Sequence, residues 1–251
     1  MSRTRKIWET YGETDPYYAV VTLDQNRSKN IDNAAKDEFF RGGHEHVDRV
    51  WRLIEQHFTS EFSPRKAVDF GCGVGRITLP LAGRSGEVIG VDLSENMLAE
   101  ARENCRDQQI PNANFIQTDS FLADRISVDF VHAFIVFQHI RPKHGLQIVR
   151  KMLGDLSEGG IGALHFSYDE RASIFERLRY RIYEYVPLVY RIRQALSGRR
   201  YSPIIPKHVY DMNVVLRELH DANCHEVVAR FSDHGLLGVL LIFRKSQLPS
   251  V

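Results

Sequence analysis

Cysteine is scarce in this 251-residue chain: Cys72, Cys105 and Cys224 are odd in number, widely spaced and form no CxxC pair. That excludes a disulfide framework or a zinc ribbon and reads as reduced thiols in a cytosolic protein. No apolar run approaches the roughly 18 residues of a membrane span, and MSRTRKIWETYG lacks the apolar stretch of a signal peptide. Charge of one sign is missing as well. Lys and Arg number 33 against 32 Asp and Glu, a net of +1, which argues against bulk attraction to nucleic acid. No internal repeat or low-complexity tract interrupts the chain. The expectation is a soluble, cytoplasmic protein whose length fits one large α/β domain.

What is present begins with alternation. Short apolar strands fall at 66–70, 87–92, 113–117, 128–134 and 160–167, with helical patterns at 75–82, 94–107 and 142–154. Strand and helix in turn predict a parallel sheet covered on both faces, with ligands at the strand C-termini. HEVVARF (225–231) and GLLGVLLIF (235–243) are separated by three residues. So short a link permits a hairpin and no crossover, so one of these strands runs antiparallel. Residues 35–58 carry apolar residues at helical spacing, and Gly42-Gly43 predicts a break into two helical pieces.

The run VDFGCGVGRITLPLA (68–82) passes from strand through three alternate glycines, Gly71, Gly73 and Gly75, into a helix. Glycine there allows positive φ and close approach of a ligand, and a helix starting near Gly75 aims free N–H groups at the same space. Asp92 closes the second strand 21 residues after Gly71, where an acid can accept both hydroxyls of a ribose. The competing reading is a tight turn with Asp92 capping the next helix. GxxxxGK[ST] is absent, and GxGxG replaces the dinucleotide GxGxxG.

With "VDFGCGVGR", "VIGVDLS" and "NFIQTDS" in this order, the chain resembles the class I S-adenosylmethionine (SAM)-dependent methyltransferases over about residues 35–245. The resemblance implies an α/β, Rossmann-like, seven-stranded, mostly parallel sheet with an antiparallel last strand, helices on both faces and a helical lid after the fifth strand. It implies SAM as cofactor and S-adenosylhomocysteine as product. Asp69, Gly71, Cys72, Gly73 and Gly75 match the positions around the methionyl part, and Asp92 with Leu93 those at the ribose. Asp119 and Ser120 match the place that meets the adenine amino group, and Phe134 and Ile135 the main chain near the ligand's amino group. Arg76 either approaches the SAM carboxylate or is a solvated first-turn residue.

Transfer from a sulfonium needs alignment and exclusion of water, and a general base only where the acceptor holds a proton. His139, in FIVFQHIRP, is the first candidate base, with Gln138 beside it to orient the acceptor or contact SAM; alternatively His139 braces its loop. His165 and His234 are further candidates. No histidine shares a close metal-binding spacing with an acid, so no metal is expected.

The segment from Arg171 to Tyr201 holds eight arginines and five tyrosines against two glutamates, with Ile174, Leu178, Ile182 and Tyr185 on one helical stripe. It reads as a solvated amphipathic lid, as arginines gripping an anionic acceptor, or as a basic helix docking on an anionic membrane without stable insertion. Trp8, Tyr11, Tyr17 and Tyr18 are expected near the acceptor side. The resulting division is a cap at 1–60, a SAM-binding core at 61–170 and 205–251, and a lid at 171–204. The expected activity is methylation of a hydroxyl on a small-molecule or saccharide-type acceptor. Rivals are an N-methyltransferase, a NAD-dependent dehydrogenase and a non-catalytic SAM-binding scaffold. Nucleic acid is disfavoured as acceptor, since [DNS]PP[YF] is absent after the fourth strand.

Overall fold

The computed structural model describes residues 3–196 and 203–246. Strands β1 (Lys66–Phe70), β2 (Glu87–Asp92), β3 (Ala113–Gln117), β4 (Val128–Ala133), β5 (Leu156–Asp169), β6 (Glu226–Asp233) and β7 (Leu237–Arg244) form one sheet ordered β3-β2-β1-β4-β5-β7-β6. The first five pair in parallel, while β7 runs antiparallel to both β5 and β6. This is the reversed end that the three-residue link requires. Strand order reverses between β1 and β4, so a crevice opens at their C-terminal ends.

Helices α1 (Arg3–Thr14), α2 (Pro16–Val20), α3 (Asn33–His57), α4 (Thr78–Ala82), α5 (Glu95–Asp107), α6 (Thr118–Ala123), α7 (Pro142–Asp155), α8 (Ile174–Tyr185), α9 (Pro187–Leu196) and α10 (Met212–Asp221), with short 3-10 turns at Asp24–Asn26 and Phe137–His139, complete the described elements. Alternate strand residues feed two layers. Val68, Val131, Leu164 and Phe166 meet Val149 and Met152 of α7 and Leu219 of α10. Ala67, Phe130, Ala163 and Ile242 meet Val50, Trp51 and Ile54 of α3. Burial on both faces is why these strands read as near-continuous apolar runs. In a third cluster Ile7, Tyr11, Tyr17 and Phe39 close over Val74 and Met97. None of the described helices is long and apolar enough to cross a membrane.

Three expectations are corrected. Gly42-Gly43 does not break its helix: α3 runs unbroken from Asn33 to His57. The glycines are there for proximity, since a Cβ on Gly43 would stand 2.1 Å from the Arg76 carbonyl oxygen. The helix after the glycine loop starts at Thr78, not Gly75, because the chain first spends residues 73–77 in turns. The fifth strand, expected at 160–167, runs from Leu156 to Asp169, and α10 begins at Met212, capped by the Asp211 side chain. The lid is two helices: Ser173 and Glu176 form a capping box on α8, and Pro187 opens α9. Leu178 and Ile182 of its stripe are exposed; the side chains of Ile174 and Tyr185, and residues 197–202 with Arg199, Arg200 and Tyr201, lie outside the described residues.

Candidate functional site

The loop after β1 has Gly71, Gly73 and Gly75 all at positive φ, +76°, +53° and +86°, conformations that side-chain-bearing residues rarely take. The Gly71 and Cys72 amides both donate to the Val91 carbonyl, at 2.7 and 3.0 Å, which ties the loop to β2. Asp92 completes the tie: its Oδ2 accepts from the Gly73 amide and its Oδ1 from the Ser94 amide, each at 2.9 Å. Burial raises the Asp92 carboxyl above its ordinary range, opposed by the amides of Ser94, Gly73 and Leu93. A half-buried acid held by backbone N–H groups remains an acceptor for further donors.

Asp69 spends both carboxylate oxygens on partners inside the fold. It is buried, with Oδ2 accepting from Thr78 Oγ1 at 2.6 Å and Oδ1 from His132 Nδ1 at 2.9 Å. With its Nδ1 donating to Asp69, His132 turns its Nε2 to His46 Nε2, 3.0 Å away. Burial, first, and then His132 hold His46 well below the usual histidine range. Arg76 lies along α3, its Nε donating to the Phe39 carbonyl at 2.9 Å and its guanidinium 5.4 Å from the Phe39 ring. Cys72 is buried, and burial pushes its thiol well up.

The adenine-side candidates lie in the first turn of α6. Asp119 pairs with Arg5 of α1 at 2.5 Å, and Ser120 is exposed. Leu93 is half-buried beside Asp92. Past β4, Ile135 sits at φ +60°, a strained setting for a β-branched residue. Val136 follows and lies over Gly71, whose Cβ would meet it at 2.3 Å.

The three candidate bases divide. His139 donates from Nδ1 to the Pro206 carbonyl at 2.8 Å, so its Nε2 accepts from Gln138 Nε2 at 3.0 Å. Gln138 in turn accepts from Ser167 Oγ. Burial holds His139 down at about 4, and Trp8 meets its ring edge-on at 5.3 Å. His165 and His234 lie elsewhere, both against Phe134, at 5.2 and 5.5 Å between ring centres. His46 meets the same ring at 3.9 Å. His165 Nε2 is 2.8 Å from Ser232 Oγ, while its Nδ1 is buried without a partner. Burial brings His165 to about 4 and lowers His234, which remains exposed at the β6–β7 hairpin tip. Sequence reasoning missed His46 and His132. The signal was present in VHA and LHF, histidines on the same face of the two adjacent parallel strands β4 and β5. Among the described residues no three ligand-type side chains converge as a metal set would.

Helix α1 covers the crevice. Besides the Arg5–Asp119 pair, Glu9 accepts from Ser94 Oγ at 2.8 Å and from the Glu95 amide at 3.1 Å, at the N-terminus of α5. Val20, just after, stands over Gly73, 2.7 Å from where a Cβ would be. Of the tyrosines expected here, Tyr17 packs instead beneath the cap, donating to Glu100 at 2.5 Å. Tyr18 lies under the Arg27 guanidinium.

Residues 67–160 match a family described as "Methyltransferase domain". The chain is 36% identical over 119 residues to trans-aconitate 2-methyltransferase of Rhodopseudomonas palustris (strain BisB18), a match covering 45% of this chain and 44% of that protein. It thus spans less than half the length of that curated relative. Magnesium protoporphyrin IX methyltransferase from Synechocystis PCC 6803, solved with bound SAH, superposes with a TM-score of 0.63 at 17% identity, over 96% of this chain and 98% of that one. N-methyltransferase NodS from Bradyrhizobium japonicum WM9, in complex with SAH, gives 0.59 at 16% identity over 97% and 99%. Residues 67–160 are therefore a methyltransferase domain, set in a chain with the fold of the class I SAM-dependent methyltransferases.

Proposed function

We propose that this chain is a SAM-dependent methyltransferase that methylates a hydroxyl of a small-molecule or saccharide-type acceptor. The observation that carries the reading is the loop of three positive-φ glycines closed by Asp92 at the C-terminal edge of the sheet. The site fits SAM: over Gly71 and Gly73 lie the ends of Val136 and Val20, aliphatic groups that a ligand displaces together with the cap. When bound, SAM supplies a methyl group already activated by a sulfonium charge.

In this reading the backbone of Gly71, Cys72, Gly73 and Gly75 lies along the methionyl part. Asp92 and Leu93 hold the ribose, Asp119 and Ser120 meet the adenine, and the Phe134–Ile135 main chain takes the ligand's amino group. Asp69 and Arg76 act by stiffening the loop, Asp69 through Thr78 and His132 and Arg76 through Phe39. Exposed His234 receives the acceptor's proton, with the neutral His165 ring behind Phe134 to position it. His139, its Nε2 engaged by Gln138, braces the loop. That engagement also favours a second reading, an amine acceptor that needs no base.

Calorimetric titration with S-adenosylhomocysteine, alongside NADH, tests the cofactor: micromolar binding lost on Asp92→Ala supports SAM, and NADH binding alone overturns it. With an acceptor in hand, His234→Ala lowers kcat about a hundredfold for a hydroxyl. An unchanged rate would move the choice to the amine.

A further inference from the structure

The helical hairpin α8–α9 is apolar in the wrong place for a soluble lid. Phe175 is 84% exposed, Leu196 85% and Leu188 65%, and Leu178, Val186 and Ile192 are exposed as well. Single exposed apolar residues are ordinary, whereas a cluster on one element marks a contact surface. The described elements that α8 and α9 pack on are chiefly each other. Their ties to the body include the Tyr180 hydroxyl, which donates to the Ile205 carbonyl, and Arg171, which faces Asp233 at 3.6 Å.

Charge identifies what covers this surface. Residues 171–196 hold six arginines and two glutamates, a net of +4 in a chain whose total is +1. Arg179, Arg191 and Arg193 are exposed among the apolar groups, and Arg193 lies 5.3 Å from the Tyr183 ring. A second copy of the hairpin would bring +4 against +4. Nucleic acid would satisfy the arginines and leave Phe175, Leu188 and Leu196 in water. An anionic lipid surface satisfies both, taking apolar side chains below the headgroups, tyrosines among them and arginines against their charge.

We infer that α8–α9 docks this protein on anionic membrane surfaces as a peripheral, in-plane anchor. The hairpin's root lies next to the crevice: Tyr11 donates to the Pro203 carbonyl at 2.7 Å, His139 to that of Pro206, and the His208 amide to that of Gln138 at 2.7 Å. Docking there holds the crevice close to the lipid. This inference stands apart from the transfer reading, since it concerns binding alone.

The test is co-sedimentation of the full chain with vesicles of phosphatidylcholine plus phosphatidylglycerol, against phosphatidylcholine alone. Binding is expected only to the mixed vesicles and falls with added salt. Neutralising Arg179 and Arg193 (Arg179→Gln, Arg193→Gln) weakens it about fivefold each, and Phe175→Ser by roughly tenfold. Since these side chains are exposed, the variants keep the wild-type melting temperature, which separates lost docking from lost folding. Equal affinity for neutral vesicles, or no sedimentation with anionic ones, overturns the inference. So does a dimer seen by light scattering that Phe175→Ser dissolves, because the hairpin would then be an interface between copies.

Discussion

Replacing Gly43 by Ala tests the packing that holds the glycine loop. In the middle of a helix this change ordinarily stabilises, by about 0.5–1 kcal/mol, because Ala has less backbone freedom to lose. Here the added methyl would stand 2.1 Å from the Arg76 carbonyl oxygen and 3.1 Å from the Arg76 Cγ. Comfortable contacts lie near roughly 3.5 Å, so α3 and the loop must part by about an ångström. The obstacle is backbone and cannot rotate away. Overpacking of this kind costs about 1–3 kcal/mol, which leaves a net loss near 1–2 kcal/mol and a melting temperature lower by roughly 2–8 °C. Gly154 of α7 is the matched control, exposed and with nothing within 4 Å of its would-be Cβ. Gly154→Ala raises the melting temperature by about 1–4 °C. Calorimetric scans of the three proteins decide the matter. A Gly43→Ala protein that melts with or above the wild type would refute the account of α3 and the loop as locked together.

Arg5→Ala removes the pair between α1 and Asp119, whose side chains are 21% and 69% exposed; such pairs are worth about 0–1 kcal/mol. If α1 must leave Asp119 before a nucleoside is held there, S-adenosylhomocysteine binds up to about fivefold tighter by calorimetry. A weaker Kd would make Arg5 part of the binding surface. Stability also depends on pH. His139 and His165 are held at about 4 by burial, against about 6.5 unfolded. Their contribution is complete above pH 6.5 and is lost as pH falls toward 4, because the unfolded chain takes up protons first. The slope approaches about 1.4 kcal/mol per pH unit for each histidine. Urea midpoints therefore drop between pH 7 and pH 5, less steeply in His165→Gln; an unchanged midpoint contradicts the burial of both rings.

The parts legible in the sequence are those set by neighbours along the chain. Glycines at alternate positions, an acid ending the next strand and a three-residue link between two apolar runs each carry their geometry locally, and all three stand in the fold. What sequence reading misplaced depends on partners far away in the chain. Gly42-Gly43 has the local signature of a helix break, and only the Arg76 carbonyl, more than 30 residues on, makes it a point of contact instead. His46 and His132 look like separate helix and strand residues until the crossing of α3 over β4 brings their Nε2 atoms to 3.0 Å. Distant partners also set the hydrogen bonds of the first candidate base. His139 follows a strand as a catalytic group would, yet the Pro206 carbonyl fixes its tautomer and Gln138 takes up the remaining nitrogen. His165, two-thirds of the way along an apolar strand and readable as core, keeps the unpartnered nitrogen. Chemical availability is thus decided by which hydrogen-bonding valences the fold leaves over, and residue type and spacing constrain only where those valences start.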